Sequence, residues 1–75
     1  MTKNQCRAAR ALLEWTQTDL AGHSLVSLRS IKDFETGATE PRRSTLEGLK
    51  RAFAEQGILF LDQSGVDLKQ GKQTK

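Results

Sequence analysis

Between residues 28 and 36 the side chains divide by type around a helical wheel. Arg29, Lys32, Asp33 and Thr36 fall on one side, and Ser27, Ile31, Phe34 and Glu35 on the other, with Leu28 and Ser30 at the borders. A helix divided in this way buries its Ile31–Phe34 side and presents the other. The chemistry open to the presented side is recognition. A guanidinium such as Arg29 matches guanine O6 and N7, and a leucine at position 28 can meet a thymine methyl. The Asp33 carboxylate can accept from a cytosine amino group or orient Arg29 four residues earlier. Lys32 is the least directional and suits either a phosphate or a base. The plain alternative for this face is a charged, solvated surface that touches nothing.

Little else in the chain points to competing chemistry. There is no Gly-rich phosphate loop, metalloprotease helix motif or serine elbow. The Cys/His spacing of a zinc site is missing, and no metal or cofactor is implied. Cys6 fits a core position better than a reactive one. His23 has no ligand cluster near it in sequence and is expected on the surface. Trp15 is better explained by packing than by nucleic-acid stacking, and a chain with no Tyr and three Phe is poorly equipped to stack single strands. A catalytic reading therefore finds no constellation to rest on.

The elements that would position these residues are marked by their ends. Residues 5–14 are rich in helix formers, and Cys6, Ala9 and Leu13 recur at helical spacing with Leu12 flanking them. Thr16 reads as an N-cap, with Trp15 and Leu20 as a hydrophobic staple and Asp19 in the first turn of a helix over 17–24. Ser27 reads as the next cap, with Val26 and Ile31 as its staple, and opens a helix over 28–36 that stops at Gly37. After a loop around Pro41, Ser44 and Glu47 form a capping-box pattern. The stripe Leu46, Leu49 and Phe53 then runs to Gly57. Ile58–Leu61 is a short apolar run of strand length, and Val66–Leu68 alternates as a hairpin partner would. The fold class expected is mainly α, four helices with a short C-terminal β-strand or hairpin. A helical domain over 1–57, a β extension over 58–69 and a flexible tail over 70–75 divide the chain.

With 75 residues there is room for one domain and a modest core. A single cysteine cannot form an intrachain disulfide. The formal net charge of +3 suits an anionic partner without requiring one. The N-terminus is polar and lacks the apolar region of a secretory signal, and no apolar run reaches membrane-spanning length. The expected setting is the cytoplasm, away from membranes.

Two short helices over 17–24 and 28–36, joined by three or four residues, have the dimensions of a helix-turn-helix. The residues Thr16-Gln17-Thr-Asp19-Leu20-Ala21, Val26-Ser27 and Ile31-Lys32-Asp-Phe34-Glu35-Thr-Gly37 resemble the Cro/repressor-type (XRE family) helix-turn-helix. The likeness covers roughly residues 5–57. It departs from the family in the turn, where Leu25 stands in place of the usual Gly and would be strained by a positive φ. Ser24 replaces a small apolar residue, and Gly22 lowers the propensity of its helix. The resemblance implies a repressor-like fold that binds double-stranded DNA, with Leu28, Arg29, Lys32 and Asp33 reaching bases in the major groove. It implies backbone contacts from Gln17, where the start of a helix also favours phosphate, and from Arg42 and Arg43 in the loop that Pro41 stiffens. Ser27, Ser30 and Thr36 complete that expected set. Arg10 and Glu35 occupy positions that pair inside many family members. Glu35 falls on the inner side of the wheel, where an unpaired carboxylate is not tolerated, so a partly buried Arg10–Glu35 ion pair is expected.

A single motif of this kind spans few base pairs, so a homodimer is expected, with half-sites about 34–36 Å apart. The surplus apolar run Ile58, Leu59, Phe60 and Leu61 either builds that dimer or covers the protein's own core. The function expected is that of a transcriptional regulator, a repressor before an activator. The alternative is a protein-interaction module or antitoxin-like protein that uses the same fold on a protein partner.

Overall fold

The computed structural model describes residues 1–61 and the backbone of 66–68. Its order is α1 (Lys3–Leu13), α2 (Gln17–Ser24), α3 (Leu28–Thr36), α4 (Arg43–Glu55), β1 (Ile58–Phe60) and β2 (Val66–Leu68). The two strands pair antiparallel with Leu59 opposite Asp67. The mainly α class with a C-terminal hairpin is therefore as expected. The tail expected over 70–75 lies outside the described residues.

Local chemistry sets most of the boundaries. Thr16 accepts from the Asp19 N–H at 3.0 Å while the Asp19 carboxylate accepts from the Thr16 N–H at 2.9 Å, a full capping box at the start of α2. Ser27 caps α3 by accepting from the Ser30 N–H at 3.1 Å. Gly37 ends α3 with φ 80. Three boundaries differ from expectation. The first helix begins two residues early because Thr2 and Gln5 form a capping box of their own, and it ends at Leu13 because Glu14 turns left-handed at φ 59. The fourth helix begins at Arg43, so Ser44 lies inside its first turn and caps nothing. Arg42 is the N-cap, extended at φ −74 and ψ 159, and has no side-chain cap bond. Its carbonyl accepts from the Leu46 N–H at 3.1 Å. This earlier start places Pro41 and Leu46 at the N′ and N4 positions, where both line one groove with Phe34.

The core draws on every described helix: Cys6 and Ala9 from α1, Leu20 from α2, Ile31 and Phe34 from α3, and Leu49, Ala52 and Phe53 from α4. Ile58 joins it from β1. Helix α1 packs on α3, and α2 packs on both α3 and α4, while β1 lies on α4 and β2 beside α1. The close approach of α4 to the α2–α3 turn depends on Gly48. A Cβ there would stand 3.2 Å from Val26 Cγ2 and 3.3 Å from the Ser24 carbonyl. The apolar run after α4 splits by alternation. Ile58 is buried and Phe60 packs against the core, whereas Leu59 and Leu61 are 44% and 50% exposed. Leu61 lies just beyond the strand.

Candidate nucleic-acid interface

Helices α2 and α3 meet through Leu25, Val26 and Ser27. Leu25 is the hinge of that turn: its φ is 63 and its side chain is 84% exposed. A left-handed conformation costs an L-residue roughly 1–2 kcal/mol, and the little burial of this leucine offsets a small part of it. Val26 returns to the core side, and Ser27 opens α3 in extended backbone.

On α3 the wheel divides as expected. Ile31, Phe34 and Glu35 are buried, while Arg29, Lys32 and Thr36 are exposed and Leu28, Ser30 and Asp33 are partly exposed. The Arg29 Nε–H donates to Asp33 Oδ2 at 3.3 Å, an i,i+4 pair on the presented face. Exposed pairs of this spacing contribute about 0.3–0.5 kcal/mol, so it orients more than it stabilises. Lys32 has no carboxylate partner among the described residues. Arg42 likewise has none, and Arg43 pairs loosely with Glu47 at 3.7 Å. Arg42 and Arg43 flank the uncapped start of α4, where free N–H groups add partial positive charge. A groove lined by Ser30, Asp33, Pro41 and Arg42 joins this start to α3.

Several residues expected at a phosphate are already engaged. The Gln17 amide donates to Glu35 Oε1 at 3.0 Å, so its side chain faces inward and leaves only the backbone N–H at the start of α2. The Ser27 hydroxyl donates to Ser30 Oγ at 3.0 Å, and Thr36 Oγ1 donates to the Asp33 carbonyl at 3.3 Å. These hydroxyls secure the two ends of α3.

Beneath this face lies the ion pair. Arg10 donates through Nε to Glu35 Oε2 and through Nη2 to Oε1, both at 2.8 Å. Glu35 is 2% exposed and Arg10 19%. The carboxylate also accepts from Cys6 Sγ at 3.0 Å, and the Glu35 carbonyl accepts from Arg7 Nη1 at 2.6 Å. Arg10 Nη1 extends the network to the Trp15 carbonyl at 3.1 Å, so one cluster ties α1, the start of α2 and α3 together. Burial pushes the Glu35 carboxyl up, but hydrogen bonds from Arg10, Cys6 and Gln17 outweigh it and hold the group below its ordinary value. The Arg10 guanidinium is raised by its bond to Glu35. Burial first, then the hydrogen bond and charge of Glu35, push the Cys6 thiol well above its ordinary value, which makes it unreactive. Cys6 holds its expected core position and adds a hydrogen bond to Glu35, whereas the Gln17 side chain serves this cluster and not a phosphate. Cys6 lies one helical turn before Arg10, on the side that carries the ion pair.

His23 is exposed but not isolated. Its ring stacks on Trp15 with centroids 4.1 Å apart and planes 9° from parallel. Trp15 also contacts Phe53 at 6.0 Å, so the staple residue joins the surface of α2 to the core. Among the described residues there is no group of three metal-binding side chains, and no helix is long and apolar enough to cross a membrane. Neither protein-family models nor curated proteins give a match to this chain.

Proposed function

We propose that this protein binds double-stranded DNA sequence-specifically through a Cro/repressor-type helix-turn-helix and acts as a transcriptional regulator, more in the manner of a repressor than of an activator. One observation carries the reading. Helix α3 is locked by its buried side and by Glu35 in a fixed attitude to α2, while its outer side offers Leu28, Arg29, Lys32 and Asp33 outward. A rigid helix with two cations and an acid on its free side fits the major groove, whose base edges carry the distinguishing donors and acceptors. Lys32, Arg42, Arg43 and the backbone N–H groups at the start of α2 serve as phosphate contacts in this reading.

A second copy fits the same reading. Leu59 and Leu61 are the part of the C-terminal run that the core does not use, and Leu12 is 46% exposed. The dimer proposed here uses those outward leucines, while Ile58 and Phe60 remain with the protein's own core. Sedimentation is expected to show a dimer at micromolar concentration. A monomer at that concentration removes the dimer and leaves the DNA reading intact. The same exposed leucines favour the second reading, a module that binds a protein partner through this surface.

The test is selection from a pool of random duplexes at near-physiological salt, followed by sequencing. An enriched inverted repeat is the expected result. A single enriched half-site keeps DNA reading without the dimer. The absence of any enrichment favours the protein-partner reading, for which binding should depend little on salt.

A further inference from the structure

Arg29 and Asp33 are one turn apart on the free side of α3, yet they are held differently. The Arg29 side chain is 83% exposed, whereas that of Asp33 is 30% exposed. The Asp33 carbonyl accepts from the Ala38 N–H at 2.9 Å and from Thr36 Oγ1 at 3.3 Å. Those bonds fix the backbone at the end of α3, and from it the less exposed Asp33 carboxylate accepts from the Nε–H of the reaching guanidinium at 3.3 Å. Lys32, beside Asp33 in sequence, has no carboxylate partner among the described residues.

Resting on the DNA-binding reading, we propose that Asp33 is a positioning residue that makes Arg29 a reader of guanine and turns it away from phosphate. With Nε engaged, the donors left to Arg29 are Nη1 and Nη2, the end-on fork that fits guanine O6 and N7. A phosphate sets no such condition on the angle of approach. The Asp33 carboxylate also makes the pair nearly neutral and repels phosphate oxygens, so the pair gains little from the backbone charge. Because the guanidinium is oriented before contact, less side-chain freedom is lost when it docks.

The experiment measures binding of the selected duplex, its single-base variants and an unrelated duplex by the full chain and by Arg29→Ala, Asp33→Ala and Asp33→Glu. Thermal melting checks that each variant is folded. The full chain is expected to prefer G at one position of the half-site by about 5- to 150-fold, the range for a bidentate contact. Arg29→Ala flattens that position. Asp33→Ala weakens the same preference about twofold, the size expected of an exposed pair at this spacing, while binding to the unrelated duplex tightens, because an anion has been removed. Asp33→Glu restores the preference. An undiminished preference in Asp33→Ala overturns the proposal. So does a loss at a neighbouring C instead, which makes Asp33 a direct reader. An enriched half-site with no Arg29-dependent G also sinks this proposal alone, whereas no enrichment by the full chain sinks the DNA reading with it.

Discussion

Glu35 shows how one buried carboxylate can organise three helices. It sits in the core with four side-chain hydrogen bonds, two of them from Arg10. Removing Arg10 leaves that charge buried with only neutral side-chain donors, so Arg10→Ala should cost about 3 kcal/mol, the lower part of the range for breaking a buried pair. Urea unfolding checks this, and a loss under about 1 kcal/mol would place the stabilisation elsewhere. The pH dependence has two limbs of opposite origin. Because folding lowers the Glu35 pKa, its contribution is complete above the unfolded value of about 4.3 and fades as pH falls below it. Folding raises the Cys6 pKa, so its contribution is complete below the unfolded value of about 8.5 and declines above it, by up to about 1.4 kcal/mol per pH unit. Urea midpoints should therefore fall at both ends, with Glu35→Gln flattening the acid limb and Cys6→Ala the alkaline one. That Glu35 needs a partner was legible from its place on the inner helix face, and the family resemblance implied that the partner is Arg10. The thiol and amide donors were not legible, since hydrophobic periodicity locates a side chain inside but not the direction of its hydrogen bond.

At the scale of elements, caps explain both what the sequence discloses and what it hides. Thr16 and Ser27 cap the two helices of the proposed motif through their nearest neighbours, so local pattern was enough to bound them. Ser44 had the right neighbours for a cap, but α4 starts earlier, at Arg43, with Leu46 of its first turns packed against the core. Thr2 and Gln5 formed a readable box that the apolar stripe beginning at Cys6 overshadowed. The hairpin followed from the length and alternation of its two runs. Which of its residues turn to the core depended on where α4 ended, and so was not fixed by the run itself. Leu25 is the element-scale liability. Its left-handed backbone is strained and its side chain is 84% exposed, so Leu25→Gly relieves strain and loses little packing. The greater freedom of glycine in the unfolded chain takes back part of the gain. A net stabilisation of about 0.5–1 kcal/mol is expected, or roughly 2–8 °C in Tm for a domain of this size. Calorimetry showing a lower Tm would mean that the leucine side chain makes a contact worth more than the strain.

For the whole molecule, the useful quantity is which cations remain free, because the net charge of +3 is small. Arg10 is committed to Glu35 inside, Arg29 to Asp33, and Arg51 approaches Glu55 at 4.0 Å. On the side proposed to meet DNA, Lys32 and Arg42 form no ion pair among the described residues, although Asp33 and Glu40 line the same groove as Arg42, and Arg43 is only loosely held. About three phosphates per protomer is then a reasonable footprint. Each phosphate neutralised adds about 0.9 to the steepness of log K against log salt. Replacing Arg42 by Ala should lower that steepness by about 0.9 if one protomer sits on the duplex and by about 1.8 if two do. The variant thus counts protomers on the DNA as well as testing the contact. Arg29→Ala provides the contrast, since a guanidinium paired with Asp33 and aimed at a base should alter affinity for the selected sequence while barely moving the slope. Titrations of one duplex at several salt concentrations measure both variants. A slope unchanged in Arg42→Ala takes that residue off the backbone, and a slope that falls as much for Arg29 as for Arg42 makes Arg29 a phosphate contact as well.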